Sequence, residues 1–157
     1  KSTGEAIGYD DLLHRAAYKA LTASGMTLRN YGTVLISVAD EDKDETIPLA
    51  RRFYEMGFSI EATSLTGEVL NAHGIRAKIL RKPSEGSDEV LDSIRSGYVS
   101  YLINTRAVLS GIHYGDGVAM RRCAAQNGIA MLTSLDTVRM LLDVIEEATF
   151  GISTIDS

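Results

Sequence analysis

Hydroxyls, one carboxamide and three cations recur in this sequence at one kind of position, directly after an apolar run. Ser37 and Lys43 follow the first run, Thr63, Ser64 and Thr66 the second, and Lys82 the third. Asn104, Thr105 and Arg106 follow the fourth, and Thr133 and Ser134 the last. A phosphate group is held by neutral donors, helix N-terminal amides and a few positive charges, so the chemistry these residues offer is anion binding. Ser and Thr ahead of a helix are also ordinary N-caps, and Thr66 and Ser134 stand where caps belong. Lys43 lies within Asp40-Glu41-Asp42-Lys43-Asp44-Glu45, and acidic residues around a first turn complement the helix dipole. Taken alone, Lys43 reads as part of a solvated charge run.

Catalytic constellations are scarce. His14, His73 and His113 are far apart in the pattern, which argues against a metal trio, and no GxGxxG, P-loop or strong nucleophile motif occurs. Cys123 is the single cysteine, so no internal disulfide forms, and it reads as a small apolar packing residue. Neither a metal nor a cofactor is expected in this chain.

The elements that must position the anion-type residues follow from periodicity. Four glycines, Gly57, Gly74, Gly97 and Gly128, each separate a helix-like stretch from an apolar run, the place where a left-handed C′ residue ends a helix. Strands are expected over 33–38, 58–63, 76–80, 99–104 and 129–133, with the first and fourth, the most continuously apolar, central. Helical periods lie between them: Leu49, Phe53 and Met56; Val90, Leu91 and Ile94; Val138, Leu141, Leu142 and Ile145. A preceding stretch over 10–24 carries Leu13, Ala16, Ala17, Ala20 and Leu21 on one face, and Pro48 falls harmlessly in a first turn. The order is α(βα)₅. This is an α/β chain with a five-stranded parallel sheet and helices on both faces, whose ligands belong beyond the carboxyl ends of the strands. A loop over 105–116, containing Gly111, Gly115 and Gly117 with His113, Tyr114 and Asp116, is expected to be mobile, and the tail after Glu147 has no period.

A length of 157 residues and 45% apolar content suit one core. Sixteen basic against 21 acidic residues, with no basic cluster, argue against nucleic acid as a partner. No apolar run approaches a bilayer span and no signal-peptide pattern is seen, so a soluble, cytoplasmic location is expected, without a membrane partner. The polar opening Lys1-Ser2-Thr3-Gly4-Glu5 looks like a cut from a longer polypeptide.

These residues resemble a family. Lys1-Ser2-Thr3-Gly4-Glu5 is similar to the closing motif of the second ATP-grasp unit of the carbamoyl-phosphate synthase large chain. From there to about Glu147, the sequence resembles that chain's methylglyoxal-synthase-like C-terminal domain. Ser37-Val38 with Lys43, the Ala62-Thr63…Thr66 turn, Ile103-Asn104-Thr105, Arg121-Arg122 and Thr133-Ser134-Leu135-Asp136-Thr137 carry the likeness.

The resemblance implies a three-layer α/β/α regulatory domain over 10–148, preceded by the end of an ATP-grasp unit over 1–9 and followed by a tail over 149–157. It implies allosteric control of a glutamine-hydrolysing, ATP-dependent ligase serving pyrimidine and arginine biosynthesis, by a nucleotide or phosphorylated effector of the UMP, IMP or PRPP class. ATP, magnesium and potassium belong to the parent enzyme. The partners implied are the ATP-grasp units, a small glutaminase subunit and the effector, with a homo-oligomer also open.

Lys43, Thr63, Thr66, Lys82, Asn104 and Thr105 match phosphate-side positions of that family, and Thr133 an interface position where ornithine binds in some members. Leu65 stands where the family often has glycine, and Arg106-Ala107-Val108 where small hydroxyl residues often follow Asn-Thr. Arg106 could reach a phosphate bidentately or mark a changed effector. The alternative implied is a free-standing methylglyoxal synthase acting on dihydroxyacetone phosphate, with Asp88 as the base.

Overall fold

The five apolar runs form β1 (Thr33–Ser37), β2 (Ser59–Thr63), β3 (Ala77–Leu80), β4 (Val99–Asn104) and β5 (Ala130–Leu132). The computed structural model describes residues 13, 15–106 and 114–151, and within them all five strands are parallel, in the order β3-β2-β1-β4-β5. Helices α1 (15–23), α2 (Lys43–Glu55), α3 (Ser64–Ala72), α4 (Glu89–Arg95), α5 (Tyr114–Gln126) and α6 (Leu135–Glu146) alternate with them. The expected order is therefore found, with β1 at the centre of the sheet and β4 beside it.

Side chains alternate across the sheet as a strand requires. Val34 and Ile36 enter one core with Leu49 and Phe53 of α2, Leu70 of α3 and Val138, Leu141, Leu142 and Ile145 of α6. Leu35 and Leu102 enter the other with Val90 and Ile94 of α4 and Met120, Cys123 and Ala124 of α5. The sheet is thus covered on both faces, giving the three layers. Arg52 of α2 forks onto Asp143 and Glu146 of α6 at 2.8 and 2.6 Å, and the hydrogen bond it donates to Glu146, ahead of the one to Asp143, holds its guanidinium still more firmly protonated than usual. At this solvated surface the clamp contributes modestly.

One local device recurs at three helix-to-strand junctions. Gly57, with φ +99°, lets Phe58 turn back so that its amide donates to Phe53 O at 3.1 Å and its ring meets Phe53 edge-on at 5.2 Å. The same six-to-one bond joins Ile75 to Leu70 and Ile129 to Ala124, so the residue after each glycine both ends a helix and begins the core packing of the next strand.

Three expectations are corrected. Among the described residues of the 10–24 stretch, Leu21 is fully buried and Ala17 in part, while Ala16 and Ala20 are exposed and Leu13 is 55% exposed, because α1 meets the core through its C-terminal part. The anticipated loop over 105–116 ends early, since α5 begins at Tyr114 and includes Gly115, Asp116 and Gly117; residues 107–113, with His113, lie outside the described residues, as does His14. Beyond α6 the chain continues as a π-helical turn over Glu147–Gly151, pinned by Asn30 Nδ2 donating to Thr149 Oγ1, and the rest of the tail lies outside the described residues.

Tyr101 is fully buried against Phe53 and Phe58, and its hydroxyl donates to Arg29 O and accepts from Arg29 N, both at 2.6 Å. Burial pushes the phenol above its ordinary value of 10.0, outweighing the contributions of Arg29 that lower it. The folded state then holds this proton more tightly than the unfolded chain, so the associated stability is complete below the unfolded value and is lost as pH rises through the folded one. Urea midpoints followed upward from about pH 10 should fall faster for the wild type than for Tyr101→Phe. Parallel curves would refute the linkage.

Candidate functional site

A parallel sheet sends all its carboxyl ends to one edge, and there a cleft of 410 Å³ opens between the strand ends and the helices that come after them. Its wall is organised around the end of β1. Here backbone groups run out of strand neighbours and must be satisfied in another way, since an unpaired buried amide or carbonyl is costly.

Side chains from the neighbouring elements do this. Thr66 of α3 accepts from Val38 N at 3.3 Å, and Thr105, after β4, accepts from Ala39 N at 3.0 Å. Asn104 donates to Ser37 O and Lys43 to Val38 O, each at 3.0 Å. Thr63 completes the set by donating to Ser37 Oγ at 2.9 Å. A hydroxyl has one proton and two acceptor sites, and an amide nitrogen has two protons. Ser37, Thr66 and Thr105 therefore keep their protons for the cleft, and Asn104 keeps its second Nδ2 hydrogen. Thr63, Thr66, Asn104 and Thr105 are each nine-tenths or more buried, which holds those donors in place.

Of the residues singled out by sequence, Ser37, Lys43, Thr63, Thr66, Lys82, Asn104, Thr105 and Arg106 all line this cleft. Lys43 is not a solvated member of an acidic run: its side chain is only 13% exposed and turns inward, sharing its ammonium between Val38 O and Asp40 at 2.6 Å. Thr66 is not a cap, since α3 begins at Ser64 and Thr66 sits inside its first turn. Ser64 is not among the lining residues: its hydroxyl reaches Glu85, at 3.2 and 3.3 Å to the two carboxylate oxygens. Thr133 is exposed beyond β5, apart from the cleft, while Ser134 caps α6 by accepting from Thr137 N. Leu65 lines the cleft and is 51% exposed.

Sequence reasoning missed a carboxylate. Asp116, 6% exposed, accepts from Ser84 N at 2.8 Å and from Ser84 Oγ at 2.6 Å, so it ties the 3-10 turn Pro83–Glu85, next to Lys82, to the start of α5. Assigning it to a loop hid it; an acid in a first helical turn, opposite a polar turn, is the signal that would have found it. Asp88 stands exposed at the start of α4, and it is not among the lining residues. Among the described residues no three His, Cys, Asp or Glu side chains group as a metal site would, and no helix is long and apolar enough to cross a membrane.

A family model described as MGS-like domain matches residues 45–133, more than half of the chain. Among solved structures, methylglyoxal synthase from Elizabethkingia anophelis NUHP1 aligns with a TM-score of 0.59 at 17% identity, over 73% of this chain and 79% of that one. ForH aligns with a TM-score of 0.59 at 19% identity, over 76% of this chain and 82% of the other. At such identities the likeness is one of fold.

Replacing Thr105 by Val removes the acceptor of Ala39 N–H while keeping the side chain's shape. The loss should cost about 1–3 kcal/mol, the penalty of a buried amide left unpaired, measurable by urea denaturation. A change within a few tenths of a kcal/mol would show that the end of β1 does not depend on this bond.

Proposed function

The chain belongs to the MGS-like domain family, and on that premise we propose that its cleft binds a phosphorylated small molecule as a regulatory signal. Its proposed setting is the C-terminal domain of a carbamoyl-phosphate synthase large subunit. One observation carries the reading. Backbone amides occupy acceptor sites on Thr66 and Thr105, Thr63 occupies one on Ser37, and Asn104 spends only one of its two Nδ2 hydrogens on the Ser37 carbonyl, so three hydroxyl protons and one amide hydrogen are left as donors for whatever enters. Lys43, Lys82 and Arg106 add positive charge. An oxyanion such as a phosphoryl group matches that wall better than a neutral or cationic ligand.

The acidic residues tune this site. Asp40 holds part of the Lys43 ammonium, so an arriving phosphate must share that cation, which favours a readily reversible effector over a tightly held one. Arg106, at the exposed rim, and Leu65 are placed to distinguish what is attached to the phosphate. In the proposed setting the effector biases two states of the parent ligase, with a coupling of about 1–3 kcal/mol. UMP, IMP and PRPP are the classes of effector to be expected, controlling carbamoyl phosphate synthesis for pyrimidines and arginine.

The structural likeness to a methylglyoxal synthase favours a second reading, catalysis on dihydroxyacetone phosphate with Asp88 as the base. Against it, Asp88 lies outside the cleft's lining, and Asp116 within the lining has both carboxylate oxygens engaged by Ser84.

Calorimetric titration with UMP, IMP and PRPP should give saturable binding of at least one of them, weakened by Thr105→Val and by Lys82→Met. Failure of all three at millimolar concentration would overturn the regulatory reading. Methylglyoxal production from dihydroxyacetone phosphate, abolished by Asp88→Asn, would establish the enzyme reading in its place.

A further inference from the structure

Among the described residues Asn104 is the one carboxamide lining the cleft, and its usefulness to an anion depends on which way its two ends point. Its nitrogen end donates and its oxygen end would repel. Both ends are fixed by partners of unambiguous kind: Nδ2 donates to the carbonyl of Ser37 at 3.0 Å, which can only accept, and Oδ1 accepts from Arg121 Nη1 at 2.6 Å, which can only donate. Arg121 is half-buried on the second turn of α5 and is not among the lining residues. Among the described residues, no carboxylate pairs with it.

A guanidinium bonded to a neutral amide is an unusual choice for structure alone, because the amide does nothing to offset its charge. The chain also makes room for it. Gly117, one turn earlier on α5, has no side chain, and a methyl group there would stand 2.8 Å from Arg121 Nη1 and 3.4 Å from Asn104 Oδ1. Only the movable end of the arginine would have to shift, and that end carries the bond to Asn104.

We propose that Arg121 is a positioning residue: through the gap left by Gly117 it locks the Asn104 carboxamide with its amino group toward Ser37 and the cleft. The consequence for binding rests on the proposed anion site. The orientation itself does not, and the experiment separates the two.

In ligand-free protein, ¹⁵N-edited spectra should show the Asn104 side-chain amide displaced from the free-amide region and slow to exchange. Arg121→Met and, independently, Gly117→Ala should both return it toward that region, with the backbone spectrum otherwise preserved. Binding of inorganic phosphate and of UMP should then weaken about tenfold in either variant, the scale of one charge-assisted hydrogen bond. In Asn104→Ala, adding Arg121→Met should cost almost nothing more, because the arginine acts through the amide. An Asn104 signal unmoved by both variants, or losses that multiply in the double variant, would overturn the positioning role. Absence of phosphate and UMP binding by the wild type would overturn the ligand reading instead, and the ligand-free amide signals would still decide the role of Arg121.

Discussion

Where β1 leaves the sheet, the amides of Val38 and Ala39 and the carbonyls of Ser37 and Val38 bond to side chains rather than to strand neighbours. Leaving such groups unpaired in a buried setting would cost more than any one contact in the cleft returns. Lys43 of α2, Thr66 of α3, and Asn104 with Thr105 at the end of β4 are held by that need, together closing three consecutive residues. The cleft wall is the far side of this arrangement. It exists because the central strand of a parallel sheet must end somewhere, and its end must be closed by polar side chains.

A wall built for that purpose has a definite chemical character. Hydroxyls that accept from backbone amides keep their protons for the cleft, and an amide whose oxygen is turned to Arg121 presents its amino end there. Structural satisfaction and anion complementarity are here the same hydrogen bonds seen from two sides. Two of the three carboxylates in the lining are held within the same arrangement: Asp40 bonds the Lys43 ammonium and Asp116 bonds Ser84, so both act on how the cations and the turn beside Lys82 are presented.

Much of the fold was legible because its signals are local. Phe58, Ile75 and Ile129 come directly after glycines that must adopt a left-handed conformation, and each bonds back to the residue five before it. Alternation between Leu35 and its neighbours Val34 and Ile36 assigned the two faces. The α1 face was misjudged for an equally plain reason: alanines at helical spacing permit burial without demanding it, and nothing in the stretch says how much of the helix meets the sheet. Among the cleft residues, those directly following a strand were found by position alone. Asp116 and Gly117 were not, nor was the part of Arg121 behind the wall, since these depend on where α5 begins and on its rotational phase.

The sequence by itself determined the order of elements, the parallel sheet and the edge where donors collect, since strand and helix periods, glycine punctuation and residue type all act within a few positions of one another. Only the tertiary structure decided which donors face the cleft. It turned Lys43 inward and Ser64 toward Glu85, and it brought Arg121 onto Asn104 from 17 positions away. The direction of a polar side chain is set by which partner is within about 3 Å of it, and that distance is fixed by the packing of elements remote in sequence.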